Sequence, residues 1–126
     1  MTLSTRKGGN RVPFIHSMDS DGYLGELIPI WIDSDLHCCG PMEVAAENDL
    51  VAFRNLNKPQ MAYTGAIDKR AIARGGENMR AEVYRVAPLL DLGGYIPGRD
   101  HGVPPDISWP AFIDYSRLLA ELTGWL

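Results

Sequence analysis

Cysteine is scarce in this chain: Cys38 and Cys39 are the only two in 126 residues, and they are adjacent. Neighbouring thiols suit neither a disulfide framework nor a metal-ligand pair, so a reducing compartment, the cytoplasm, is expected. Long apolar runs are also missing. None approaches the ~20 residues of a membrane span. The N-terminal MTLSTRKGGN has a basic pair but not the apolar stretch of a signal peptide. Positive charge is not in excess either, with 12 Lys and Arg against 16 Asp and Glu and a net charge of −4. The basic residues are scattered among acids, which argues against a nucleic-acid partner. Internal repeats and low-complexity segments are absent apart from a recurring strand–helix unit.

What is present is an ordinary globular composition, 45% hydrophobic, in a chain long enough for one domain with a small core. Residues 1–11 are polar and glycine-rich and are expected to be poorly ordered; residues 12–126 carry the domain. Val12 to Met18 reads as a first strand, and Asp19-Ser20-Asp21-Gly22 then turns and offers an N-cap. Leu24, Leu27, Ile28, Trp31 and Ile32 fall on one helical face, with Pro29 predicting a kink or a late start. Leu36 to Gly40 is a second buried run, closed by Pro41. A helix follows with Ala46, Leu50 and Phe53 inward, ending near Asn55 to Asn57. Met61 to Ile67 predicts a third strand. Asp68-Lys69-Arg70 opens a short turn or helix that Gly75-Gly76 breaks. The next helix places Met79, Val83, Val86 and Leu90 on one face, with Pro88 near its end. Ser108 caps a last helix with Phe112, Tyr115, Leu119 and Leu122 inward and Gly124 as its stop.

The chain is organised around Gly93 to Asp106, GGYIPGRDHGVPPD. Tyr95-Ile96 predicts a short buried strand, stopped by Pro97-Gly98, and the charged cluster Arg99-Asp100-His101 follows at once. A buried strand ending in charged residues is how an α/β protein places chemistry at the carboxyl edge of its sheet. A solvated loop with incidental charges would read the same way. Strand–helix alternation repeated through the chain predicts an α/β fold of four βα units, a parallel sheet with helices packed outside.

Four blocks carry a resemblance: Asp19-Ser20-Asp21-Gly22, Pro41-Met42-Glu43-Val44, Gly65-Ala66-Ile67-Asp68-Lys69 and the organising stretch. Their order and spacing resemble the C-terminal half of the uroporphyrinogen decarboxylase superfamily, over roughly Pro13 to Leu126, and most of all its decarboxylase-like members outside the haem pathway. The resemblance implies the last four units of a TIM (β/α)8 barrel, whose eight units need ~250 residues. It implies a carboxy-lyase acting on a tetrapyrrole in porphyrin biosynthesis, working without metal or organic cofactor. The key aspartate and arginine of that mechanism lie in the family's N-terminal half. The chain is therefore expected to be a fragment lacking that half, either a homodimer through its open edges or a poorly soluble, loosely packed species, and inactive in either state.

The resemblance aligns His101 with a histidine that meets substrate carboxylates, a task suited to a group that is cationic or hydrogen-bond-donating near pH 7. A histidine bonded within its own loop is the alternative; Asp100 would orient the ring. Asp19 and Asp21, after the first strand, either hold pyrrole nitrogens and act as an acid/base pair or cap the following turn. Glu43 carries the same two readings. Asp68 and Lys69 end the third strand, and Lys69 either binds a substrate acid or pairs with Asp68 or Glu77. Arg99 stands where relatives commonly have cysteine and offers a fixed fork for carboxylates. Ala66 and Glu47 replace glycines of the family pattern. The corrinoid-linked methyltransferase branch is an alternative, as is a non-catalytic half barrel. That branch holds zinc with a His-x-Cys pair and a later cysteine, matched here by His16-Ser17-Met18 and Arg99. Only His16 remains of the three ligands such a site needs. His37 with Cys38 and Cys39 is a poor substitute, since at most one cysteine shares its face. No metal is expected.

Overall fold

The computed structural model describes residues 15–58 and 60–126, so the expectations for residues 1–11 and 12–14 lie outside the described residues. Four strands, β1 (Ser17–Asp19), β2 (Cys38–Met42), β3 (Ala62–Ile67) and β4 (Tyr95–Arg99), form one sheet in the order β1-β2-β3-β4. Every neighbouring pair is parallel. Between and after them come α1 (Leu27–Asp33), α2 (Leu50–Asn57), α3 (Lys69–Arg74), α4 (Gly76–Leu90) and α5 (Trp109–Leu122), with a 3₁₀ turn over Val44–Ala46. Parallel strands in sequence order with helical crossovers make this an α/β fold. No helix among the described residues is long and apolar enough to cross a membrane.

Local chemistry sets the helix starts. Asp49 caps α2 by accepting the Ala52 N–H at 2.9 Å, Asp68 caps α3 through the Arg70 N–H at 2.8 Å, and Ser108 caps α5 through the Ala111 N–H at 3.3 Å. Helix α1 begins late, at Leu27. Pro29 therefore sits in the first turn, where a missing N–H breaks no intrahelical bond. Gly75, with φ +67°, ends α3 and turns the chain into α4.

The helices bury their apolar stripes on one face of the sheet. Ile28 and Trp31, Leu50 and Phe53, and Met79, Val83 and Val86 pack with Cys39, Tyr63 and Tyr95 from the strands. Both tyrosines keep their hydroxyls satisfied: Tyr63 donates to the Phe53 carbonyl at 3.0 Å and Tyr95 to the Gly65 carbonyl at 2.7 Å. Ile96, next to buried Tyr95, points to the opposite face and is 59% exposed.

Several expectations are corrected. Strand β2 does not close at Pro41 but runs to fully buried Met42, through a cis Gly40–Pro41 bond. Strand β4 does not stop at Pro97. The Tyr63 N–H donates to the Gly94 carbonyl and the Asp100 N–H to the Ile67 carbonyl, each at 2.9 Å, so even-numbered residues of β4 face β3. The missing N–H of Pro97 falls on the free edge, where no ladder bond is lost. In α5, Leu118 is buried beside Tyr115, while Phe112, Leu119 and Leu122 are only half-buried. Leu27 faces outward, and Ala46 lies in the 3₁₀ turn rather than in a helix. The N-cap of α1 is Glu26, not a residue of the Asp19-Ser20-Asp21-Gly22 turn.

Candidate functional site

At the carboxyl ends of the strands the loops are fastened by one buried acid. The Asp100 side chain is fully buried. Its Oδ2 accepts the Val44 N–H at 2.9 Å and its Oδ1 the Lys69 N–H at 3.0 Å. Asp100 thus ties the loop after β2 and the start of α3 to the end of β4. Its hydrogen bonds go to these main-chain donors, and none joins it to His101 among the described residues. Asn48 fastens the neighbouring loops. Its Oδ1 accepts the Leu24 N–H at 2.9 Å, and its Nδ2 donates to the Gly22 and Glu43 carbonyls at 2.8 and 3.0 Å.

On this scaffold sit the chemical groups. Lys69 Nζ lies 3.0 Å from Glu43 Oε1 and 4.0 Å from Asp100 Oδ1. Glu43 Oε2 accepts the Gly22 N–H at 3.3 Å. The Lys69 hydrogen bond, opposed by partial burial, holds the Glu43 carboxyl below its usual range. Burial pulls the Lys69 ammonium down, but Glu43 and the charge of Asp100 outweigh it and raise it. His101 is half exposed, with Nε2 3.9 Å from Asp21 Oδ1. Asp21, Glu43, Lys69 and His101 are therefore gathered at one edge, with Asp19 exposed at the end of β1 beside them. Lys69 takes Glu43 and Asp100 as partners, not Asp68 or Glu77.

Two expected members turn elsewhere. Asp68 caps its own helix and holds Arg70, whose Nη2 is 2.8 Å from Asp68 Oδ2. Burial raises the Asp68 carboxyl, but the Arg70 hydrogen bonds outweigh it and leave it below its usual range. Arg99 lies on the same face of β4 as buried Tyr95, by strand alternation. Its guanidinium carbon sits 5.7 Å from the centre of the Phe112 ring on α5, and Arg99 lines a groove there, apart from the cluster.

Glycine positions add to the picture. Gly65 has φ +92°, and a Cβ there would lie 2.9 Å from the Met42 nitrogen and 3.2 Å from the Arg99 carbonyl oxygen. Ala66 and Glu47 are both left-handed, with φ of 65° and 64°. These are conformations that glycine adopts at no steric cost.

His16 and His37 stand with ring centres 6.0 Å apart. Both cysteines are buried, and burial together with Cys38 pushes the Cys39 thiol up to about 12. No group of three His, Cys, Asp or Glu residues among the described residues is placed to hold a metal ion. Sequence reasoning missed Asn48 and the fastening role of Asp100; the only signal was an acid directly after a buried strand. No family model, curated protein or solved structure matches the chain.

Proposed function

We propose that this chain is half of a uroporphyrinogen decarboxylase-like barrel, whose carboxyl-edge cluster holds a tetrapyrrole for decarboxylation. One observation carries the reading. The four blocks behind the family resemblance fall at the carboxyl ends of four consecutive parallel strands, as one wall of a (β/α)8 barrel requires. The left-handed backbone at Ala66 and Glu47, where the resembled family has glycine, supports it further.

In this reading Asp19 and Asp21 accept hydrogen bonds from pyrrole N–H groups, and His101 donates to a side-chain carboxylate of the substrate. Lys69, held by Glu43 and Asp100, supplies the fixed positive charge of the edge. The reaction protonates a pyrrole ring, which takes up the electron pair of the breaking C–C bond as carbon dioxide leaves. A second protonation places hydrogen on the vacated carbon, and loss of the first proton restores the ring. Four further βα units close the barrel; a second copy covers the open edges without activity, and only the N-terminal half brings the remaining catalytic acid and arginine.

The test is fluorescence titration of the purified chain with uroporphyrin, the stable oxidised form of the substrate class. Saturable binding is expected, weakened about tenfold by His101→Ala and by Asp19→Asn, as loss of one hydrogen bond to a charged group predicts. Equal affinity in wild type and both variants would refute the assignment.

A further inference from the structure

A cavity lies away from the carboxyl-edge cluster, between the free edge of β4 and helix α5. Its volume is about 400 Å³, within the ~300–1,000 Å³ of small-molecule pockets. The walls include Ile96, Pro97, Leu119, Ala120 and Trp125, and Arg99 is the only charged residue lining it among the described residues. Arg99 Nε is buried and has no hydrogen-bond partner among the described residues. The centre of the Phe112 ring lies 5.7 Å from the guanidinium carbon.

A guanidinium cannot shed its proton to escape burial, so an unpaired buried N–H on it calls for an acceptor. The hydroxyls of Ser116 and Thr123, also in the lining, cannot serve an anion as donors. They already donate to the Phe112 and Leu119 carbonyls, each at 2.8 Å. The Arg99 main-chain N–H, by the alternation that turns Gly98 and Asp100 toward β3, points to the same free edge. A planar fork with a main-chain donor beside it matches a carboxylate. Apart from the Tyr115 phenol, the remaining walls are apolar and would exclude a second charge. We propose that this groove binds a small amphiphilic monocarboxylate, its head on Arg99 and its tail along Leu119, Ala120 and Trp125. The proposal does not rest on the tetrapyrrole reading, and it concerns the chain with its β4 edge unpaired, because further strands closing a barrel on that edge would cover the groove.

Equilibrium dialysis of the full chain against labelled decanoate tests it, with 1-decanol as the neutral probe. One saturable site per chain is expected. Arg99→Gln should weaken decanoate at least about tenfold, as loss of a charged hydrogen bond requires. Ala120→Phe, which fills the groove and leaves Arg99 in place, should abolish binding, and decanol should compete poorly. If Arg99→Gln loses its circular dichroism signal, Ala120→Phe decides. No saturable site, or decanoate affinity unchanged in either folded variant, would overturn the proposal.

Discussion

Asp100 and Val44 are 56 residues apart in sequence, yet the buried carboxylate of one accepts the main-chain N–H of the other at 2.9 Å. With the second bond to the Lys69 N–H, this acid fixes the geometry on which Glu43 and Lys69 depend. Asp100→Ala should leave two N–H groups unpaired beneath the loops, at about 1–3 kcal/mol each. A loss of about 2–5 kcal/mol in urea unfolding is expected, with Asp100→Asn intermediate because one acceptor remains. A loss below roughly 0.5 kcal/mol, the scatter of surface substitutions, would mean the loops hold without it.

The Glu43–Lys69 pair gives stability a defined pH dependence. Glu43 is lowered from its ordinary 4.5, so its contribution is present above that value and lost as pH falls through the lowered one. Lys69 is raised from 10.5, so its contribution is present below that value and lost as pH rises through the raised one. Lys69→Met should cost about 1 kcal/mol or less at pH 7, flatten the Glu43 part of the acid limb and remove the alkaline loss. Chemical denaturation across the pH range checks this. Parallel curves for the two proteins would show that the pair is energetically idle.

Backbone conformation separates two substitutions that look alike. Gly65→Ala puts a methyl group 2.9 Å from the Met42 nitrogen at φ +92°, and should destabilise by about 2–4 kcal/mol. Glu47→Gly relieves a left-handed residue that is exposed. It should stabilise by up to about 1 kcal/mol, after the greater freedom of glycine in the unfolded chain is subtracted. Thermal unfolding reads both. A destabilised Glu47→Gly would show that the side chain itself does something at that turn.

Much of this was legible in the sequence, and what was not has physical causes. Met79, Val83 and Val86 at helical spacing, and the apolar run ending at Ile67, announced α4 and β3 because local period and burial agree there. The prolines misled. Pro41 and Pro97 mark strand ends only where every N–H is needed, and Pro97 sits where none is. Which edge of a strand is free depends on its neighbours, not on its own residues. Asp100 carries no mark beyond being an acid directly after a buried strand, and Asn48 none, because Val44, Lys69, Leu24 and Gly22 lie far from them in the chain. Arg99 was grouped with its neighbours by sequence, but strand alternation turns it toward α5.

The most direct measurement is a map of amide chemical-shift changes in the labelled chain as uroporphyrin is added. Changes are expected at the strands' carboxyl ends, around Asp21, Glu43, Lys69 and His101, and not at the opposite rim near Lys58 and Leu92. Changes confined to that opposite rim, or no changes at saturating porphyrin, would contradict it.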